Sequence, residues 1–356
     1  MAKPKHKHKR QPQPQQIAGA VVKSQITLVD SLLDSIIEGK EFSSLVQVFP
    51  KPHVDLMAEF SRSLHGIEVV RGRPCLAYVG SVAGGSKYAA IDSTDDLPFA
   101  EMIANVPSSE KKVDILLATL GGSGQQVNRF VNCLRPRFDE VNFLIPSLCM
   151  SAGTLFALSG DSILMSERAC LGPIDPQIPT KDGRFVPAQA LLLLVESLQK
   201  TGEDGIKKGI GVPWTAVRLI DSLDKKELGD AMTATSYSAT MATQFLMNYK
   251  LKNWTVRETT GVAVTPDYRE QRATEIAVAL ASHDRWKSHG HAITREVLWS
   301  EIRLRIDLPD TALDRAIKRA WALLNWMFEK AAIFKVLASQ NYRYMRFGTQ
   351  ESKTND

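Results

Sequence analysis

The amino-acid sequence predicts an α/β core at about residues 74–200, with helical additions before and after it. Two observations carry this expectation. Between Pro74 and Pro187, short apolar runs alternate with helical stretches, and Gly or Pro breaks separate them, as repeated β-α units require. Outside that segment, apolar residues recur at three- and four-residue spacings instead, which is the period of amphipathic helices. The overall composition, 44% apolar and 23% charged, is that of an ordinary globular chain.

Taken in order, residues 1–16 (MAKPKHKHKRQPQPQQ) have no hydrophobic period and are dense in Lys, Pro and Gln, so a disordered basic arm is expected there. Ile26, Leu28, Leu32, Leu33, Ile36 and Ile37 then suggest a helical N-terminal extension over 17–73. In the core, residues 76–79 read as one strand and 113–119 (VDILLAT) as another. Gly121-Gly122-Ser123 turns the chain into an amphipathic helix carrying Val127, Phe130, Val131 and Leu134, closed by Pro136. Residues 141–145 (VNFLI) read as a third strand, 151–158 as a helix of small residues, and 162–165 as a fourth strand. The region 201–348 is expected to be mainly helical, and the long helix leading into it starts at Ala188. Within that region the stripe Leu313, Ile317, Ala320, Trp321, Leu324 and Met327 makes 310–337 one helical stretch. Residues 349–356 read as a polar tail.

The 356-residue chain carries a net charge of +5, and its location matters more than its size. Lys3, Lys5, Lys7, Lys9 and Arg10 account for all of it, so the rest of the chain is balanced. A strongly basic nucleic-acid-binding body is therefore not supported, and the arm is the part that could touch an acidic partner or nucleic acid. Cys75, Cys133, Cys149 and Cys170 are widely spaced, without a C-x-x-C pair, and read as buried free thiols in a reducing compartment rather than as a zinc site. There is no 18-residue apolar run, no apolar segment after the basic N-terminus and no phosphate-binding loop. The expectation is a soluble cytoplasmic protein without metal or cofactor.

The segment that carries chemistry is Thr119-Leu120-Gly121-Gly122-Ser123, followed some thirty residues later by Cys149-Met150-Ser151-Ala152-Gly153-Thr154. Acyl transfer needs a nucleophile at a turn and backbone N–H donors aimed at the developing oxyanion. Two glycines at a strand end let the backbone approach a substrate carbonyl, and a helix starting at Ser151 leaves its first N–H groups unpaired. Ser151 is therefore the expected nucleophile, with donors from Gly121 or Gly122 and from Ala152.

The run GGSGQQVNRF…PSLCMSAGTLFALSGDSILMSERACLGPIDPQ resembles the serine dehydrogenase proteinase family, a branch of the Clp-protease and crotonase superfamily. The resemblance implies a Clp/crotonase-like spiral of β-β-α units, metal-free hydrolysis of peptides or proteins, and a homo-oligomer. By position it assigns the nucleophile to Ser151 and the oxyanion donors to Gly121, Gly122 and Ala152. It leaves the general base open. In the Clp subunit a histidine follows the serine by about 25 residues, where this chain has Asp175. The membrane-associated relatives carry a lysine near the start of the next helix, where this chain reads Pro187-Ala188-Gln189. Asp175 remains a candidate to orient a base or contact substrate. Lys181 and Lys200 remain candidate bases, although neither is well placed. The resemblance extends more faintly to Ser288-His289-Gly290-His291-Ala292-Ile293. His289 and His291 could reach the site from the C-terminal region or from a neighbouring subunit, but they read more simply as surface or structural residues. Two alternatives to a peptidase stand beside it: a crotonase-like acyl-CoA enzyme, and a catalytically silent or partner-activated scaffold of the same fold.

Overall fold

The computed structural model describes residues 55–83 and 86–348. The basic arm, most of the N-terminal extension and the C-terminal tail expected above lie outside the described residues.

The first described helix, α1 (Leu56–Arg71), is capped by the Asp55 carboxylate, which accepts from the Ala58 N–H, and ends at Gly72 with φ 62°. The α/β core follows as β1 (Cys75–Gly80), α2 (Asp96–Ala104), β2 (Lys112–Ala118), α3 (Gly124–Leu134), β3 (Glu140–Ile145), β4 (Leu148–Cys149), α4 (Ala152–Leu158), β5 (Ser162–Met165) and β6 (Cys170–Leu171). A hairpin of β7 (Gln177–Pro179) and β8 (Phe185–Pro187) leads to helices α5 (Ala188–Lys207), α6 (Trp214–Ser222) and α7 (Lys225–Phe245). The chain continues through α8 (Pro266–Ala281), α9 (His283–Trp286), β9 (Ile293–Thr294), α10 (Arg295–Ser300) and α11 (Thr311–Lys330), and closes with β10 (Ile333–Ala338) and β11 (Arg343–Phe347).

The main sheet has the order β11-β10-β1-β2-β3-β5. β1, β2, β3 and β5 are mutually parallel, and β10 and β11 add an antiparallel edge. The parallel strands are buried on both faces, which is why they read as continuous apolar runs instead of alternating ones. In β1, Leu76 and Tyr78 face one core with Phe99, Phe130 and Phe156, whereas Cys75, Ala77 and Val79 face a second core with Phe60, Leu64, Ile317 and Leu324. Thus α1 and α11 cover one side, and α2, α3 and α4 with α7 and α8 cover the other.

Two sequence expectations are corrected here. Residues 310–337 are not one helical stretch, because α11 ends at Lys330 and β10 joins the sheet beside β1. Cys133 is exposed on α3, although Cys75, Cys149 and Cys170 are buried free thiols as expected. Among the described residues, no helix is long and apolar enough to cross a membrane.

Candidate active site

Ser151 stands at the junction between β4 and α4 with φ 52° and ψ −117°. An L-residue rarely adopts this backbone, and holding one there costs on the order of 1–3 kcal/mol. The surroundings enforce it. The Met150 N–H donates to the Thr119 carbonyl at 2.9 Å, and Thr119 N–H donates to the Leu148 carbonyl at 2.9 Å, so the end of β2 grips the chain on both sides of Cys149. After the turn, the Thr154 hydroxyl lies 2.9 Å from the carbonyls of Cys149 and Gly172, and accepts from Gly172 N–H at 3.0 Å. The start of α4 is thereby tied to the segment after β6.

Gly121 and Gly122 stand opposite. Both have positive φ, 104° and 143°, and neither has room for a side chain. A Cβ on Gly121 would lie 2.7 Å from the Ser151 Cβ and 3.2 Å from the Ala152 nitrogen, and one on Gly122 would overlap the Ile91 backbone. Gly121 is buried, and its N–H is taken by the Thr119 hydroxyl at 3.1 Å. Gly122 is exposed. Among the described residues, the N–H groups of Gly122 and Ala152 donate to no protein acceptor.

The glycine turn rests on a charged core. Ile91 N–H donates to the Gly121 carbonyl, and Ser123 N–H donates to the Ile91 carbonyl, both at 2.8 Å. Just beyond Ile91, the Asp95 carboxylate is fully buried and takes Lys335 Nζ at 2.7 Å, Tyr78 Oη at 2.7 Å and Arg346 at 3.0 Å. Lys335 Nζ also donates to the Ala90 carbonyl at 2.5 Å. Additional hydrogen bonds to both members offset the cost of burying such a pair.

Asp175, fully buried, follows β6 by four residues. Its carboxylate is approached by two imidazoles through Nδ1: His289 at 2.7 Å from Oδ1 and His283 at 3.3 Å from Oδ2. The loop that holds Asp175 is clamped by three helices. Ser238 on α7 donates to the Ile174 carbonyl at 2.7 Å, the Leu280 carbonyl of α8 accepts from Ile174 N–H, and Ala188 N–H of α5 donates to the Pro176 carbonyl. Gln189, near the start of α5, accepts the His283 backbone N–H.

Lys181 is not brought into this group. It lies in the β7–β8 turn, 78% exposed and paired with Asp224. That bond raises its pKa above the ordinary lysine value, the opposite of what a neutral base needs. Lys200 is exposed on α5. His291 packs against Trp286 with ring centroids 5.1 Å apart. Of the two histidines on Asp175, His283 carried no signal in the sequence, and His289 was marked only by Ser288-His289-Gly290-His291, a segment that could reach the site but whose local pattern does not tell which residue it meets.

Residues 79–208 match the ClpP-like SDH-type serine proteinase family. The chain is also 32% identical over 110 residues to one uncharacterized protein of Methanocaldococcus jannaschii, and 26% identical over 145 residues to another. These alignments cover 31% and 41% of this chain and 36% and 45% of the relatives. Ser151, both glycines, Ala152 and Asp175 fall inside the family segment, whereas His283 and His289 lie beyond its end.

Proposed function

We propose that the chain is an ATP-independent serine peptidase that cleaves peptide bonds through an acyl-enzyme on Ser151. The observation that carries this reading is the strained Ser151 at the β4–α4 junction, with Gly121 packed against its Cβ. Such a turn presents the hydroxyl clear of its own backbone. The Gly122 and Ala152 N–H groups supply the oxyanion hole, where donors left unpaired by the protein can stabilise charge that develops only in the transition state. Gly121 contributes by its lack of a side chain and by fixing the Thr119 hydroxyl. Asp175 acts behind this front, through a partner rather than on substrate.

The family match over residues 79–208 supports proteolysis and assembly into a homo-oligomer. Apolar side chains exposed on α5, α6 and their connection, including Ile206, Ile210 and Trp214, fit that assembly. The scaffold reading rested on a missing base, and the imidazoles on Asp175 favour the enzyme. An acidic partner or nucleic acid for the basic arm has no support in the family.

Treatment of the purified chain with a fluorophosphonate probe tests the reading. Modification should map to Ser151 alone, and Ser151→Ala should abolish both modification and peptide hydrolysis while changing stability by no more than about 1 kcal/mol. A folded wild-type chain that the probe leaves untouched, and that hydrolyses no peptide, would remove the peptidase reading.

A further inference from the structure

We infer that His289 is the general base for Ser151, held by Asp175, so that the catalytic machinery is completed by a segment outside the family-matched core. This inference rests on the serine-peptidase reading above.

The argument begins with strand direction. β4 and β6 run parallel, with Cys149 opposite Leu171, and β9 runs antiparallel to β6, with Ile293 opposite Leu171. Ser151 lies two residues past the end of β4, Asp175 four residues past the end of β6, and His289 four residues before the start of β9. All three therefore stand at the same end of this three-stranded sheet. The placement is reinforced from above, because Gly172 has no Cβ and packs directly on Met150, the neighbour of Ser151.

The chemistry follows from what a carboxylate does. A carboxylate only accepts, so a neutral imidazole that bonds to one donates through Nδ1–H and keeps the lone pair on Nε2. Of the two rings, His289 makes the shorter contact, 2.7 Å against 3.3 Å, and has the more accessible side chain, 28% exposed against 18%. His289 lies in the segment that leads into β9, the strand that pairs with the core, whereas His283 opens a four-residue helix and is held through its backbone by Gln189. Neither ring is hydrogen-bonded to Ser151 among the described residues, and catalytic contacts of this type commonly tighten only when substrate is seated.

In the reaction, Nε2 of His289 takes the Ser151 proton as Oγ bonds to the carbonyl carbon. The negative charge goes to the carbonyl oxygen against the Gly122 and Ala152 N–H groups. The imidazolium then gives its proton to the leaving amine as the peptide C–N bond breaks. A water repeats the sequence on the acyl-enzyme, with its proton passing through His289 back to Ser151 Oγ.

The test is the rate at which a fluorophosphonate modifies Ser151 in the full chain. His289→Ala should lower it by about 10²- to 10⁴-fold, the usual contribution of a positioned base, and added imidazole should restore part of the loss. His289→Asn, whose amide can still donate to Asp175 but cannot take a proton, should show the same loss in a chain that melts like wild type. His283→Ala should stay within a few fold of wild type. A His289→Asn chain that reacts at the wild-type rate would overturn the assignment, as would a loss that tracks His283 instead. If wild-type Ser151 does not react at all, the peptidase reading fails first and this inference falls with it.

Discussion

Ser151 holds a backbone conformation that the chain would abandon if it were free to do so, and the residues that prevent this are mostly small. Gly121 and Gly122 admit Ser151 and Ile91 into space that any side chain would occupy. Gly122→Val should therefore destabilise the fold by about 1–3 kcal/mol in denaturant unfolding through strain at φ 143°, and should also abolish Ser151 modification. A variant that lost activity at unchanged stability would place the role of Gly122 in the geometry of the site rather than in the fold. At this scale much of the site was legible. A Gly-Gly at a strand end and a serine at a helix start are local features, written in adjacent residues. The condition of the Gly121 N–H was not, because it depends on which way the Thr119 hydroxyl turns.

Among the elements, the parallel strands were the easiest to recognise, since burial on both faces leaves an unbroken apolar run. Their first residues are tied by charge. Arg71 and Arg73 reach the buried Asp114, and Arg73, Lys112 and Asn142 converge on Glu140 at the start of β3. Burial alone would raise the Glu140 pKa, yet the hydrogen bonds from Arg73, Asn142 and Lys112 outweigh it and bring it down to about 2. A carboxyl whose native pKa lies below its unfolded value stabilises the fold above the unfolded value, and loses that contribution as pH falls toward the native one. Stability followed by denaturant titration should thus decline from about pH 4.5 toward 2, and Glu140→Gln should flatten that part of the curve. β10 is the contrary case. No Gly or Pro separates it from α11, and the break is made by Ala332 at φ 49°. Without a Gly or Pro break, 310–337 read as one helical stretch.

At the scale of the molecule, the C-terminal region is not an appendage to the family core but part of its completion. β10 brings Lys335 to the buried Asp95 beneath the glycine turn, and the α8–β9 segment brings His283 and His289 to Asp175. Leaving either carboxylate buried without its partners would cost several kcal/mol. A fragment confined to residues 79–208 should accordingly fail to fold, and circular dichroism should show no cooperative thermal transition. A fragment that melts cooperatively would show the core to be independent of its C-terminal partners.

What the sequence determined by itself was local: the apolar runs that become buried strands, the paired glycines, and a serine placed to open a helix. These follow from periodicity and backbone freedom, which act over a few residues. The tertiary structure decided the long-range matters: that 333–338 is a strand, that Lys335 is buried, and that an imidazole from residue 289 meets a carboxylate at residue 175. A lysine on a solvated face and one opposite a buried aspartate are the same letter in a sequence, and so are a surface histidine and one that a carboxylate holds. Their chemistry is set by the partner that folding brings to them across more than a hundred residues of chain.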